Sequence, residues 1–383
     1  MKKYDVIVIG VGGMGSAAVY HLAKRGVNVL GLEQFDIPHS LGSSHGINRI
    51  IRLAYGEGSY YVPLLQRAYQ LWREIELETE ERLLFITGSI DAGDLSSPFV
   101  NGSLASCKEN SLQHELLSGD QLAKRFPGYR IPSSMVGIYQ PEGGFVLSER
   151  AIVSYVRMAQ QLGGEVHGRE KVLQWEVDTN EICVTTERDS YRADKLVITA
   201  GPWAPTLIKE LTELAVPERQ VLIWTQPLRP EYFMPAVFPV FNIDVPEGRF
   251  YGFPIYGIPG FKIGKYHHRR EEVDNPDKTD RTLHLQDEQV LREGIRKYFP
   301  DADGPTLSLK TCLFTNSPDE HFIIDLHPDF PAVSLAAGFS GHGFKFCSVV
   351  GEILADLALD GHTRHDIENF RLNRPSLKPK QAF

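Results

Sequence analysis

The stretch YDVIVIGVGGMG, Tyr4 to Gly15, constrains this chain more than any other. Tyr4 to Ile9 is a β-branched apolar run, the pattern of a strand buried on both faces of a parallel sheet. Met14 to Arg25 reads as a helix closed by Gly26, and Val27 to Glu33 as a second strand, so the opening residues form a βαβ unit. The glycines between strand and helix have separate mechanical roles. Gly10 makes the tight turn, Gly12 lets the backbone approach a pyrophosphate, and Gly15 permits close helix–strand contact. The helix start adds unpaired N–H groups and the positive end of a dipole, with Val11, Gly13 and Met14 completing the phosphate-facing loop. Glu33, followed by Gln34, ends the second strand where a carboxylate accepts hydrogen bonds from an adenosine ribose and disfavours a 2′-phosphate. The pattern specifies a bound dinucleotide and leaves open whether it is FAD or NAD.

The chain has 383 residues, 42% hydrophobic and 23% charged, a globular composition long enough for more than one domain. Its net charge of −9 argues against nucleic acid or an anionic membrane surface as the main partner, since both attract basic patches. A small acidic substrate needs only local positive charge. Cys107, Cys183, Cys312 and Cys347 are widely spaced with no CxxC pair, so neither a disulfide framework nor a zinc site is expected, and a cytoplasmic location is. No apolar run approaches the length of a membrane span. Asp5 and the glycines interrupt the first apolar run before it could serve as a signal peptide. Residues 374–383, RPSLKPKQAF, read as a loose polar tail without a Ser-Lys-Leu address.

Along the chain, Tyr60 to Glu81 carries a helical stripe of Leu64, Leu65, Ala68, Leu71, Trp72 and Ile75. Short strands and turns are expected from Leu83 to Phe145, then a helix from Ser148 to Leu162. Strand-like runs follow up to Ala200, and Pro217 to about Pro300 reads as β-rich with an acidic connection at 271–280. Val333 to Ala337 is a strand leading into GFSGHGFKF and a closing helix to Ala358. Alternating α/β and β-rich material implies two interleaved, discontinuous domains.

Residues with chemical potential lie in several further stretches. In GSSHGINRIIRLAYGEG, Gly42 to Gly58, Arg49 and Arg52 have a spacing that can share a helix face. They recognise an anion or flavin beside the fingerprint, or they are surface arginines with ion-pair partners. Lys262 alternates with Phe261 and Ile263, which on pattern alone is an exposed-face lysine. GFSGHGFKF opens a helix with glycines, His342 and Lys345, a start suited to negative charge; a capped turn with a solvated lysine is the alternative. Cys312 shares a strand face with Lys310 and Phe314, and on pattern alone is a packing thiol. His267 and His268 are adjacent, share no face and have no ligand-spaced partner, so no metal is expected. No GxSxG elbow supports hydrolase chemistry.

Five stretches in order, VIVIGVGGMG, GSSHGINRIIRLAYGEGSYYVPL, YGFPIYGIPGFKIGKYH, TCLFTNSPDEHFIID and GFSGHGFKF, resemble the monomeric sarcosine oxidase family of flavoproteins, which includes N-methyltryptophan oxidase and pipecolate oxidase. The similarity runs through nearly the whole chain, and the second and fifth stretches are its most specific parts. It implies an α/β fold. A glutathione-reductase-like FAD-binding Rossmann domain, residues 1–82, 146–216 and 305–383, would interleave with a β-sheet-rich substrate domain, residues 83–145 and 217–304. It also implies a monomeric enzyme acting on a small amino acid and O2: the C–N bond of a secondary amino acid is oxidised to an imine that hydrolyses, and O2 becomes H2O2.

Carried over residue by residue, the resemblance makes Cys312 the covalent thioether link to the flavin and Lys262 the O2-activating cation. Arg52 and Lys345 match the pair that binds the substrate carboxylate. Arg49 matches a residue against the flavin ring, His342 one lining the site and Tyr251 a substrate-pocket tyrosine. Gly42, Ser43, Ser44, Ala200, Gly201, Trp203, Gly341, Gly343 and Phe344 fall in FAD-contacting segments. Two positions depart from the family. Phe314 stands where sarcosine oxidase has a tyrosine, and the family's active-site histidine aligns with Tyr266 or His267, the latter taken as substrate-binding. Both lie near the substrate amine, so N-methyltryptophan, pipecolate or a fructosyl amino acid competes with sarcosine as substrate. A same-fold dehydrogenase handing electrons to a quinone or carrier, and a non-catalytic flavoprotein, are the rival readings. Retention of Arg52, Lys345 and Lys262 weighs against the last.

Overall fold

The computed structural model describes residues 2–179 and 181–378. Among them, an eight-stranded sheet follows the order Val172–Asp178, Glu181–Thr186, Ser190–Ile198, Lys2–Ile9, Val29–Leu32, Glu165–His167. Val333–Ala337 joins Ser190–Ile198 in parallel, and Ile323–Leu326 pairs antiparallel with Val333–Ala337. The βαβ unit is its centre. Lys2–Ile9 runs parallel to both Val29–Leu32 and Ser190–Ile198, with Ile9 in register with Leu32 and Ile198. The carboxyl ends of the strands therefore line up at one edge, the place where open α/β sheets bind ligands.

The helix Gly13–Lys24 is buried along most of its length because it packs against both Ser148–Gln161 and Cys347–Asp360. Gly351 makes the second contact possible: a Cβ there would lie 2.6 Å from that of Ala17, overpacking of the kind that costs about 1–3 kcal/mol. Val62–Thr79 buries the expected stripe, with Trp72 and Leu65 fully enclosed.

A second sheet, of nine strands, follows the order Glu271–Glu272, Val216–Thr225, Phe261–Lys265, Gly248–Phe253, Val240–Val245, Ser89–Gly93, Val136–Gln140, Glu115–Ser118. Thr306–Asn316 also belongs to it, paired antiparallel along Val216–Thr225. That strand was grouped by sequence with the cofactor segments, because its alternating pattern carries no information about which sheet accepts it. Asn48–Ile51, Gly144–Leu147 and Leu84–Ile86 form a small third sheet.

Three departures have physical causes. Pro98–Glu109 and Leu285–Tyr298 are helices inside stretches read as strands and turns. Ser97 caps the first, accepting from the Val100 N–H at 3.4 Å, with Pro98 at its first position. Leu291, Ile295 and Tyr298 form the buried stripe of the second, which its many charged residues obscure. Finally, the C-terminal stretch is anchored as far as it is described. Arg374 is buried, donates two 2.8 Å bonds to Asp319 and reaches the Phe322 carbonyl at 2.8 Å, and Leu377 is buried too. Residues 379–383 of the expected tail lie outside the described residues. Among the described residues no helix is long and apolar enough to cross a membrane.

Candidate active site

A cleft of about 390 Å³ takes lining residues from both large sheets. At one end stands the glycine loop. Gly10 has φ +88°, and a Cβ there would meet the Thr199 carbonyl oxygen at 2.6 Å; one on Gly15 would meet the Gly10 oxygen at 1.8 Å. Gly12 is different: an added Cβ has only Ser44 Oγ near it, at 3.8 Å, so its backbone faces open space. The helix begins there without a side-chain cap, leaving N–H groups for an anion, while the Gly13 N–H donates to Ser44 Oγ at 3.3 Å. Glu33 is oriented by the Val11 N–H, 2.9 Å from Oε2, and the Phe35 N–H, 3.1 Å from Oε1, and burial raises its pKa. Gln34, Gly42, Ser43, Ala200, Gly201, Trp203, Gly341, Gly343 and Phe344 line the same cleft, as expected for cofactor contacts. Thr315 lines it with a buried, unpartnered hydroxyl, a polar atom left for a bound group. These residues fit FAD.

Farther along, Arg49 lines the cleft, and the Cys312 thiol and the Lys262 cation lie beside it without lining the cleft themselves. Arg49 Nη2 is 3.6 Å from Cys312 Sγ and donates to the Ser43 carbonyl at 2.9 Å. Burial raises the Cys312 thiol pKa, and the Arg49 charge opposes that rise. Lys262 is fully buried, not exposed. Its Nζ donates to the Gly46 and Asn48 carbonyls at 2.7 and 2.8 Å and to Asn48 Oδ1 at 2.8 Å. Burial, then Arg49, lowers its pKa well below the ordinary lysine range, while the three acceptors match the three N–H bonds of an ammonium and so favour the charged form. Arg49 Nη1 donates to the same Asn48 carbonyl at 3.0 Å, so the two cations meet there.

Arg49 and Arg52 do not share a face. Arg49 lies in the strand Asn48–Ile51 and Arg52 directly follows it, and in extended chain a spacing of three sends side chains to opposite sides. Arg52 enters a buried ionic cluster instead. Its Nη2 is 2.9 Å from Glu57 Oε2, its Nη1 is 3.3 Å from Asp91 Oδ2 and also donates to the Ala54 carbonyl. Burial opposes ionisation of Glu57, but Arg52 and then Arg249 outweigh it and hold its pKa far below the carboxylate range. Lys345 Nζ donates to the His342 carbonyl at 2.6 Å and lies 5.3 Å from the centre of the Tyr55 ring, over which Arg52 sits at 4.5 Å. Arg52 and Lys345 are thus brought together around Tyr55. Burial, then the Arg52 charge, lowers the Lys345 pKa to about 7.

His342 lines the cleft, and burial lowers its pKa to about 3. The neutral ring donates from Nε2 to the Glu320 carbonyl at 2.9 Å, so Nδ1 accepts from the Tyr55 hydroxyl at 2.6 Å. Tyr251, Tyr266 and Phe314 form an aromatic wall, with Tyr266 ring centres 5.1 Å from Tyr251 and 5.8 Å from Phe314. His267 is not part of it. Its backbone takes φ 51°, and its ring bonds Glu218 at 2.9 Å and Glu320 at 3.1 Å, which together raise its pKa to about 9. Tyr266, left ambiguous by sequence, is the residue that reaches the cleft. Glu57, Asp91, Tyr55 and Arg249 went unremarked. The carboxylate of Asp91 between Ile90 and Ala92, in the short strand Ser89–Gly93, was the available signal.

Residues 5–357 match the FAD dependent oxidoreductase family. The chain is 42% identical to monomeric sarcosine oxidase of Arthrobacter sp. (strain TE1826), over 100% of this chain and 99% of that one. It is 37% identical to N-methyl-L-tryptophan oxidase of Citrobacter koseri, over 97% and 99% of the two chains. Its fold is similar to that of NikD, an unusual amino acid oxidase essential for nikkomycin biosynthesis, with a TM-score of 0.84, 26% identity and coverage of 97% and 98%. The glycine cradle, the oriented Glu33 and full-length similarity agree: the chain belongs to the FAD dependent oxidoreductase family, with the sarcosine and N-methyl-L-tryptophan oxidases.

Proposed function

We propose that the chain is an FAD-dependent oxidase of secondary amino acids. The observation that carries this reading is one cleft lined by the dinucleotide cradle, by Arg49 with the Cys312 thiol in contact with it, and by Lys345, which shares the Tyr55 ring with Arg52. FAD, held by the glycine loop and Glu33, would supply the two-electron oxidation of the substrate C–N bond, with O2 as acceptor and with H2O2 and an imine that hydrolyses as products. Arg52 and Lys345 hold the substrate carboxylate, while the wall of Tyr251, Tyr266 and Phe314 excludes water from the N-substituent. Neutral His342 positions Tyr55 between the two carboxylate-binding cations. Lys262, beside Arg49, supplies fixed positive charge where O2 gains electrons. Cys312 is the attachment point for the flavin, its thiolate favoured by Arg49. The segments of the eight-stranded sheet cradle the cofactor, while the nine-stranded sheet serves the substrate and also supplies Cys312 and Lys262 to the flavin side. We place the enzyme in the cytoplasm as a monomer.

Anaerobic titration of the yellow protein with sarcosine, N-methyltryptophan and L-pipecolate tests this reading: at least one should bleach the flavin band, and air should restore it with peroxide. A flavin that no secondary amino acid reduces contradicts the proposal, and reduction without peroxide on aeration would indicate a dehydrogenase.

The Lys345 pKa near 7 sets a pH dependence. A carboxylate binds the ammonium form better, so binding is strongest below that pKa and weakens as pH rises through it. The Kd of acetate should be flat below about pH 7 and rise about tenfold per unit above it, until the pKa of the ligand-bound state is reached. Lys345→Met should flatten the profile. A flat profile in the parent protein from about pH 6 to 9 would remove Lys345 from the carboxylate site.

A further inference from the structure

We propose that the substrate is a secondary amino acid with a second carboxylate in its side chain, and that Arg249 recognises it. This rests on the amino acid oxidase reading and deepens it.

Arg249 belongs to the strand Gly248–Phe253, whose Tyr251 lines the cleft. Its guanidinium lies 3.9 Å from the centre of the Tyr266 ring, and Tyr266 itself lines the cleft. Among the described residues, its one side-chain hydrogen bond is a long one, from Nη1 to Glu57 Oε1 at 3.4 Å. Other enclosed guanidiniums in the protein are far better satisfied. Arg219 makes two bonds to Asp287, one to Glu271 and two more to backbone carbonyls, at 2.7–3.1 Å. A guanidinium has five N–H donors, and a wholly structural one uses most of them. The Arg249 side chain instead keeps 18% exposure, and none of its nitrogens is both buried and unpartnered. Its remaining donors are thus not committed to protein acceptors, although Arg249 itself stands behind Tyr266 and does not line the cleft.

The charge arrangement points the same way. A single carboxylate, Glu57, serves two guanidiniums, with Oε2 2.9 Å from Arg52 and Oε1 3.4 Å from Arg249. Both arginines also sit over the Phe99 ring, at 5.5 and 4.9 Å from its centre. The two guanidiniums therefore stand on either side of one carboxylate and over one ring. With the α-carboxylate on Arg52 and Lys345, a carboxylate one or two carbons along the side chain reaches Arg249. It gains a charge-assisted, bidentate partner that a neutral side chain does not supply. Arg52 and Lys345 already equal Glu57 and Asp91 in number, so Arg249 brings the cluster one positive charge in excess.

Two measurements test this on the FAD-loaded protein. Calorimetry with succinate and butyrate, which cannot be oxidised as amines, reads the site without turnover; succinate should bind at least tenfold tighter. Stopped-flow reduction under nitrogen compares N-methyl-L-aspartate with N-methyl-L-alanine, and the reduction rate constant divided by Kd should favour the acidic substrate at least tenfold. Arg249→Leu, which keeps an apolar stem against Phe99 and Tyr266, should bring both ratios close to one, and Arg249→Lys should restore part of them. Equal affinity for succinate and butyrate, or a preference that survives Arg249→Leu, overturns the assignment. A succinate preference that depends on Arg249, with no flavin reduction by either amine, supports the diacid site and overturns the oxidase reading instead.

Discussion

Replacing Lys262 by Met should slow reoxidation of the reduced enzyme by O2 at least a hundredfold, with anaerobic reduction by substrate changed only a few-fold. The difference follows from where charge develops. Oxygen becomes negative as it accepts electrons, whereas a neutral amine gives electrons up and has no need of a second ammonium. A fixed donor or cation aimed at developing negative charge in a water-poor site is worth about 10²–10³ in rate. Lys262 has the required fixity, since three acceptors at 2.7–2.8 Å hold its Nζ and the Phe253 ring lies 4.1 Å away. Methionine fills the space but strands those acceptors, at about 1–3 kcal/mol for each fully stranded group, so a lower melting temperature should accompany it. Lys262→Gln keeps a donor without the charge and should show the same kinetic split with less loss of stability. If both half-reactions slow equally in the two variants, the charge of Lys262 has no special part in the reaction with oxygen.

Cys312→Ala should convert a flavin that stays with the acid-precipitated polypeptide into one that stays in the supernatant. The effect is all or none. Cys312 is the one thiol in contact with Arg49 among the described residues, and the 3.6 Å contact favours the thiolate that burial disfavours. Cys347 is buried beside Gly13 and its pKa is pushed far up by burial, so it is no substitute. Fluorescence of the denatured band in a gel reads the result directly. Flavin that remains attached in Cys312→Ala would place the link elsewhere.

The cofactor half of the site was legible because its constraints are local. A strand, a glycine turn and a helix within one βαβ unit are read from neighbouring residues, and Gly10, Gly12 and Gly15 sit as that pattern requires. The substrate half was less so. Arg49 and Arg52 have a spacing that fits a helix, and only pairing with Gly144–Leu147 makes the segment a strand and separates them. His267 and Tyr266 differ by one position, and the backbone twist that turns the histidine toward Glu218 and Glu320 is set by tertiary contacts. Glu57, Asp91 and Arg249 converge from three distant parts of the chain, which no local pattern announces. The helix Leu285–Tyr298 was hidden for another reason: its apolar stripe is narrow and its exposed face dense in charge.

The contact between Gly351 and Ala17 also bears on how the protein is made. The helix Gly13–Lys24 emerges from the ribosome early, but the helix that covers one of its flanks is synthesised roughly 330 residues later. At 5–20 residues per second, that is a wait of roughly 15–65 s. During this time a face rich in alanine and valine is bare and available to chaperones or to neighbouring nascent chains. Yield in cells should therefore be governed by the speed of elongation and by chaperone supply as much as by the stability of the finished fold.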